Sequence, residues 1–488
     1  MRPALLAIAT AAVFAAGAAT AADTPRLTVY SGDFDAVARS MPMPGGAGFA
    51  LYDATLEFQL RAGEDMVSLG GLPAALDAGS VRLRPRGDAR VRGQRYDFAV
   101  AGQSELLERA IGSTITVEQD VGGQRRTVSG VLLAAGDGLT LRLPDGRIKV
   151  LSQYTAFDLD ALPAGVVAEP TLTWSIASAR GGRQAFDFAY ATSGLGWRAE
   201  YVAELSGQGR GCRMDFEGAA MVANRSGTAF EGVQLTLVAG EPNRQQKGYA
   251  GTPRMARAEM MVADAAVAPE ASGEYHAYRL PGTGDLPQDS VQRLPLIAPA
   301  SGVACERRYE TRAPQGGWVP PQPMLDPDFT NVAGKQPVTA MLGFANREAD
   351  GLGLPLPAGR VRVFTGGDLL GEASLAHTAL GQKVELALGT VFDLDAERSR
   401  LDFQVDRAGR TMTERVRVTL RNAKAEAATV HVVETLPRWS DWEIVASTVA
   451  AKKLDATSAG FDVAVPAGGE THLEYTVRYR WAPDVRID

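Results

Sequence analysis

Apolar and polar positions alternate with period two along much of the chain. Leu56, Phe58 and Leu60 alternate with Glu57, Gln59 and Arg61, and Phe186, Phe188 and Tyr190 with Ala185, Asp187 and Ala189. Leu401, Phe403 and Val405 alternate with Asp402, Gln404 and Asp406, and Val416, Val418 and Leu420 with Arg415, Arg417 and Thr419. A last run sets Leu473, Tyr475, Val477, Tyr479 and Trp481 against His472, Glu474, Thr476, Arg478 and Arg480. Successive side chains on a strand point to opposite faces, so each run predicts an antiparallel strand with one buried face. Gly, Pro, Asn and Asp clusters interrupt the runs at short intervals, as sandwiches and small barrels require. The predicted fold class is all-β and multidomain: antiparallel, immunoglobulin-like β-sandwich modules with a small SH3- or Sm-like barrel inserted.

The one predicted helix spans 104–110, with Ser104 as its N-cap, and leads into strands over 113–118, 127–134, 139–143 and 147–151. Asp137-Gly138 and Asp145-Gly146 mark tight hairpins between them. The predicted organisation is an N-terminal β domain over 23–103, the small barrel with its helix over 104–160, a central sandwich over 161–345 and a C-terminal sandwich over 346–488. Two long loops are expected in the central part, 241–272 without periodicity and 311–331 rich in proline.

The first 22 residues change the picture. Arg2 precedes an apolar run over 4–17, too short to cross a bilayer, and Ala19-Thr20-Ala21 or Thr20-Ala21-Ala22 offers the small-x-small pattern of a processing site. A signal peptide cleaved near Ala21 or Ala22 is expected, which places the mature protein in the periplasm or outside the cell. No later apolar run approaches the ~18 residues of a membrane helix, so no membrane span is expected. A net charge of −7 argues against nucleic acid as a partner. In an oxidising compartment the two cysteines, Cys212 and Cys305, predict a disulfide closing a loop of 305 − 212 = 93 residues. Such a loop contributes about 4–5 kcal/mol in the chain-entropy account.

Catalytic spacings are few. No lysine follows a serine by three positions, and Gly334-Lys335 runs into Gln336 rather than a phosphate loop. Gly194-Leu195-Gly196-Trp197-Arg198-Ala199 has dinucleotide-fingerprint spacing but sits among strands, without the helix that would cradle a pyrophosphate. His276, His377, His431 and His472 lack zinc-site spacing. The Asp158/Asp160, Asp326/Asp328 and Asp393/Asp395 pairs read as strand-end or turn acceptors rather than as cation ligands. No catalytic residue, cofactor or metal site is predicted. Trp439 and Trp442, in a turn, either plug the end of a sandwich core or present a stacking platform, and they are the candidate ligand- or partner-contact residues.

Taken in order, Gly194–Tyr201, Ala223-Asn224-Arg225-Ser226-Gly227, Val233–Leu237, Leu354–Gly359, Phe392-Asp393-Leu394 and Leu473–Val477 resemble the bacterial mucoidy-inhibitor-like proteins, which share the domain of unknown function DUF4139. The resemblance covers roughly the last two-thirds of the mature chain. It implies an exported or envelope-associated protein of stacked β-domains and carries over no catalytic residue. Unlike many members, this chain has no long coiled-coil segment near its N-terminal domain. The function expected is therefore a non-enzymatic envelope scaffold or protein-interaction module, binding through sheet edges. The alternative is an envelope polysaccharide-binding protein that uses Trp439 and Trp442. A hydrolase with a site built from distant carboxylates comes third.

Overall fold

The computed structural model describes residues 23–97, 102–163, 167, 169–207, 211–240, 242, 275–313, 320–329 and 333–487, and the backbone of 20–21, 270–272 and 330. The expected leader lies outside the described residues, except that the backbone of Thr20–Ala21 pairs with Leu56 and Glu57. The expected loop over 241–272 also lies largely outside them, as do 314–319 and 331 of the proline-rich stretch.

The described fold is all-β in several sheets, and it divides into two compact units. One gathers residues 23–198, 221–242 and 270–294, the other 199–220 and 295–487. In the first, a nine-stranded sheet includes Arg26–Tyr30, Ala50–Leu60, Gly182–Thr192 and Arg82–Pro85 as successive neighbours. A three-stranded sheet, with Thr171–Ser178 between Gly63–Leu69 and Arg90–Asp97, contributes the core indole of Trp174. That indole meets Phe58 and Phe188 at ring separations of 6.1 and 5.8 Å, and its Nε1 donates to Gln94 Oε1 at 2.8 Å. Phe58, Phe186 and Phe188, all at inward positions of the alternation, complete this aromatic core. The corner where Ala50–Leu60 leaves one sheet and Gly63–Leu69 enters the other is fastened by Asp65. Its carboxylate accepts from the Arg61 and Met66 backbone N–H groups and from the Arg61 guanidinium.

The predicted helix forms over Gln103–Arg109, capped by Gly102 without a side-chain acceptor, so Ser104 is not the N-cap. Leu107 and Ala110 pack on Ile115, Val117, Leu132, Leu139, Leu141 and Leu151. The five strands here are Thr114–Val121, Gln124–Ala135, Leu139–Arg142, Ile148–Leu151 and Ala156–Leu159. They do not close into the expected barrel: the last two are the outer strands and share no ladder, so the sheet is open along one seam. Each is only four residues long, too short for a ladder to follow the bend at 152–155. One short helix escaped the sequence reading, Phe34–Arg39, where Asp33 accepts from Ala36 N.

In the second unit the C-terminal sandwich sets Lys383–Asp406, Thr411–Asn422, Glu470–Arg480 and Trp442–Ser447 against Ala428–Thr435, Ser458–Val465 and Ala451–Lys453. Phe461 stacks on Tyr475 at 5.2 Å in a core that also holds Val416, Val430, Val463 and Val477. Most ladders are antiparallel as expected, but among the described residues Leu195–Ser206 with Gly359–Thr365, Phe230–Ala239 with Arg26–Tyr30, and Ser290–Arg312 with Ala428–Thr435 are parallel. The 24-residue strand Lys383–Asp406 pairs with Gly334–Ala345 as far as Arg398, with register shifts at Pro337/Thr339 and Ala340/Met341, and with Thr411–Asn422 from Leu394 onward. Bulges of this kind let one strand bend between ladders.

Three strands end on the same device. Asn224, Asn346 and Asn422 are buried, and each Nδ2 donates to three carbonyls: Thr228, Leu286 and Pro287; Leu354, Thr378 and Ala379; Glu426, Val465 and Pro466. Each Oδ1 accepts a backbone N–H, from Ser226, Gly353 and Lys424 respectively. One amide therefore satisfies a turn and a neighbouring chain segment together.

Candidate functional site

Charged side chains occur inside the C-terminal sandwich, where burial makes them costly unless paired. Arg398 Nε donates to Glu434 Oε2 at 2.8 Å, and Tyr475 Oη donates to the same oxygen at 2.5 Å; both ionised side chains are at most 5 % exposed. Burial opposes the Arg398 charge, but Glu434 and Tyr475 more than offset it, so its pKa lies above the ordinary guanidinium range. The Tyr475 hydroxyl is pushed up by burial and by Glu434. Beside this pair, the fully buried Arg438 uses all five of its N–H donors. Two go to Glu414 at 3.0 and 3.2 Å, and three to the carbonyls of Met324, Asp326 and Pro327. Its guanidinium also lies 4.4 Å from the Phe403 ring centroid. These groups hold segment 324–327 against the sandwich, and they are enclosed rather than open to a ligand.

The nearest arrangement to acid–base chemistry is a shallow cleft lined by Thr429, His431, Asp462, Glu306, Arg308 and Glu385. His431 Nδ1 and Asp462 Oδ1 are 2.8 Å apart, and Lys452 reaches the other carboxylate oxygen at 3.2 Å. The hydrogen bond to His431, with that from Lys452, holds the Asp462 carboxyl below its ordinary range. The imidazole lies over Gly460, where a Cβ would come within 3.1 Å of Nε2. Gly460 pairs with Val433, whereas Thr429, the only hydroxyl among these lining residues besides Tyr309, pairs with Ala464 at the other end of the ladder. The ring thus leans away from the hydroxyl a nucleophile would need. Arg308 grips Glu385 with two bonds of 2.9 and 2.8 Å, which lowers that carboxyl's pKa.

The residues singled out in the sequence are dispersed. Cys212 and Cys305 form the disulfide, with Cα atoms 4.9 Å apart. The Trp442 indole is buried, donating to Ala456 O at 2.7 Å with Lys453 over its ring, and Trp439 packs half-buried against the same core. Asp326 accepts from Asp328 N, as a turn residue does, whereas Asp393 and Asp395 face Lys424 and Arg421 across strands. Phe-Asp-Leu-Asp occurs at both 157–160 and 392–395, but Phe157 joins a core while Phe392 is 99 % exposed, so the phrase marks no repeated structure. Gly194 has φ +80°, and a Cβ there would lie 2.5 Å from Arg225 O; the glycine-rich phrase is a tight turn between strands. Among the described residues no three His, Cys, Asp or Glu side chains converge on a metal-sized site.

What remains open is an edge. Ile148–Leu151 pairs with Leu139–Arg142 on one side only. Leu151 enters the core, and Lys149 shares its face. Ile148 and Val150 stand outward, 57 % and 70 % exposed, beside unpaired backbone. No proline or bulge guards this strand, in contrast to Arg82–Pro85, the edge strand of the nine-stranded sheet that ends on Pro85. The sequence contained the signal, two apolar residues around Lys149 after an Asp-Gly turn, but not which strand would be outermost.

The model of the domain of unknown function DUF4139 matches residues 186–483. No curated protein and no solved structure matches the chain. Among the described residues no helix is long and apolar enough to cross a membrane, and the disulfide fits an exported protein.

Proposed function

The chain belongs to the DUF4139 family, a domain of unknown function, and from that premise we propose that it is a non-enzymatic exported envelope protein that acts as a β-sandwich scaffold and holds a protein partner along an open sheet edge. The observation that carries this reading is the strand Ile148–Leu151, whose outer backbone is unpaired and whose outward side chains are apolar. A partner strand added there would gain a hydrogen-bonded ladder, and burial of Ile148 and Val150 would add about 1.5–3 kcal/mol for each side chain fully covered. The buried Arg–Glu pairs and the His431–Asp462–Lys452 cluster favour a structural rather than a chemical use of the charged groups. Periplasmic or secreted placement, after removal of the leader near Ala21 or Ala22, is part of the same proposal.

A photo-crosslinking residue at Lys149 of the full-length protein in growing cells tests it. One defined protein adduct is expected, lost when Val150→Lys places a charge on the outward face. Absence of any adduct across several growth conditions, or an adduct indifferent to that substitution, counts against the reading.

A further inference from the structure

The outer face of the nine-stranded sheet carries a second surface, independent of the edge. Ladder register aligns two rows of side chains across it: Arg82, Ala189, Asp53 and Arg26 in one, and Arg84, Asp187 and Thr55 in the next. Their strand neighbours Leu83, Phe188 and Leu27 point into the core, so these rows lie on the outer face at a cleft of about 510 Å³, with Thr55 alone buried beneath its neighbours. One cation here is committed. Arg86 donates to Asp187 at 2.7 Å and to Thr55 Oγ1 at 2.9 Å, and Thr55 in turn donates to Asp23 at 3.0 Å. Because Asp187 is taken by Arg86, Arg84, its direct cross-strand neighbour, is left without a carboxylate. Among the described residues Arg26, Arg82 and Arg84 have no ion-pair or hydrogen-bond partner, and neither does Asp53.

We propose that this face binds a carboxylate-bearing sugar chain, with Arg82, Arg84 and Arg26 taking the carboxylates and Asp53 accepting hydroxyl protons. Three observations select that ligand. Free guanidinium groups in an otherwise acidic chain suit planar carboxylates, which they grip two bonds at a time. They are also spread out: Arg82 and Arg84 stand about 7 Å apart along their strand, and Arg26 lies three strands, about 14 Å, from Arg82. That spread, over two rows and four strands, suits charges repeated along a polymer better than a single small anion. Finally, Asp53 lies between the arginines, where it would accept from the hydroxyls that a sugar carries and a bare anion lacks, and Ala189 leaves a trough beside it. The polysaccharide reading of the sequence thus moves from Trp439 and Trp442 to the arginine rows, on a different sheet from the partner edge.

Calorimetric titration of the full-length mature protein with hexamers of galacturonate and of glucuronate, their methyl esters, and sodium phosphate tests this. At least one acidic hexamer should bind, with its ester weaker by about tenfold or more, the equivalent of one charged hydrogen bond. The exposed double variant Arg82→Gln, Arg84→Gln should lose at least as much. Asp53→Asn should weaken the hexamer, because an amide oxygen accepts the ligand's hydroxyls less strongly than a carboxylate does; a bare polyanion would instead bind this variant more tightly. The proposal is overturned by failure of both acidic hexamers to bind, by an unchanged double variant, by tighter binding to Asp53→Asn, or by phosphate binding as tightly as the hexamers.

Discussion

At the scale of single residues, the C-terminal sandwich shows how the alternation of a strand can carry a charge inward. Arg398 follows Leu394 and Ala396 at an inward position, Glu414 lies between Met412 and Val416, and Glu434 follows Val430 and Val432. Glu414 is in phase with the Val416, Val418 and Leu420 run, but the alternation read in the preceding strand, Leu401, Phe403 and Val405, is out of phase with Arg398, and the structure leaves Leu401 and Val405 exposed. Which acid meets which base was not legible either, because Arg398 and Glu434 are 36 residues apart. Removing one partner should therefore be far worse than removing both. Glu434→Ala leaves Arg398 a buried, uncompensated charge and should cost about 3–5 kcal/mol in urea unfolding. Arg398→Met combined with Glu434→Leu should recover most of that loss. Equal destabilisation by the single and double variants would show that packing, not charge pairing, is what the site supplies.

At the scale of elements, hairpins and the helix were readable because local chemistry decides them. The turns at Asp137-Gly138 and Asp145-Gly146 need no distant partner, and the short helix forms close to its expected span although Gly102 rather than Ser104 caps it. The strand-ending asparagines were not read, although all three follow an apolar alternation. Their role appears only when a second segment brings up its carbonyls: Leu286 and Pro287 for Asn224, Val465 and Pro466 for Asn422. The sequence likewise could not show that the five-stranded sheet would stay open, since closure depends on how two four-residue strands meet across a bend. Asn422→Asp keeps the shape of the side chain but replaces its donor with an acceptor facing three carbonyls. It should destabilise by more than Asn422→Ala, itself expected to cost about 1–3 kcal/mol for the carbonyls left unpaired. Thermal unfolding of the two variants compares them, and an Asn422→Asp protein as stable as the native one would deny the amide its fastening role.

At the scale of the whole molecule, the disulfide follows the path of the chain. The backbone leaves the second unit after 220, contributes strands to the first, and re-enters at 295. Cys212 lies shortly before the exit and Cys305 shortly after the return, so the bond, inside one unit, closes a 93-residue loop that contains strands of the other. The cysteine pair was legible from its even count, whereas its purpose needed the route between them. Such a closure restricts the unfolded chain, and its loss should remove up to about 4–5 kcal/mol. The effect should be local. After reduction and thiol capping, hydrogen exchange should accelerate in 211–220 and 295–312, the segments that carry the two cysteines. Amides of Thr114–Val121 and Gln124–Ala135, which lie outside the closed loop and have their own core around Leu132, should keep their protection. Exchange that rises uniformly through both regions would mean that the bond stabilises the chain as one cooperative body, and exchange that rises in neither would mean that the ladders alone hold the returning strand.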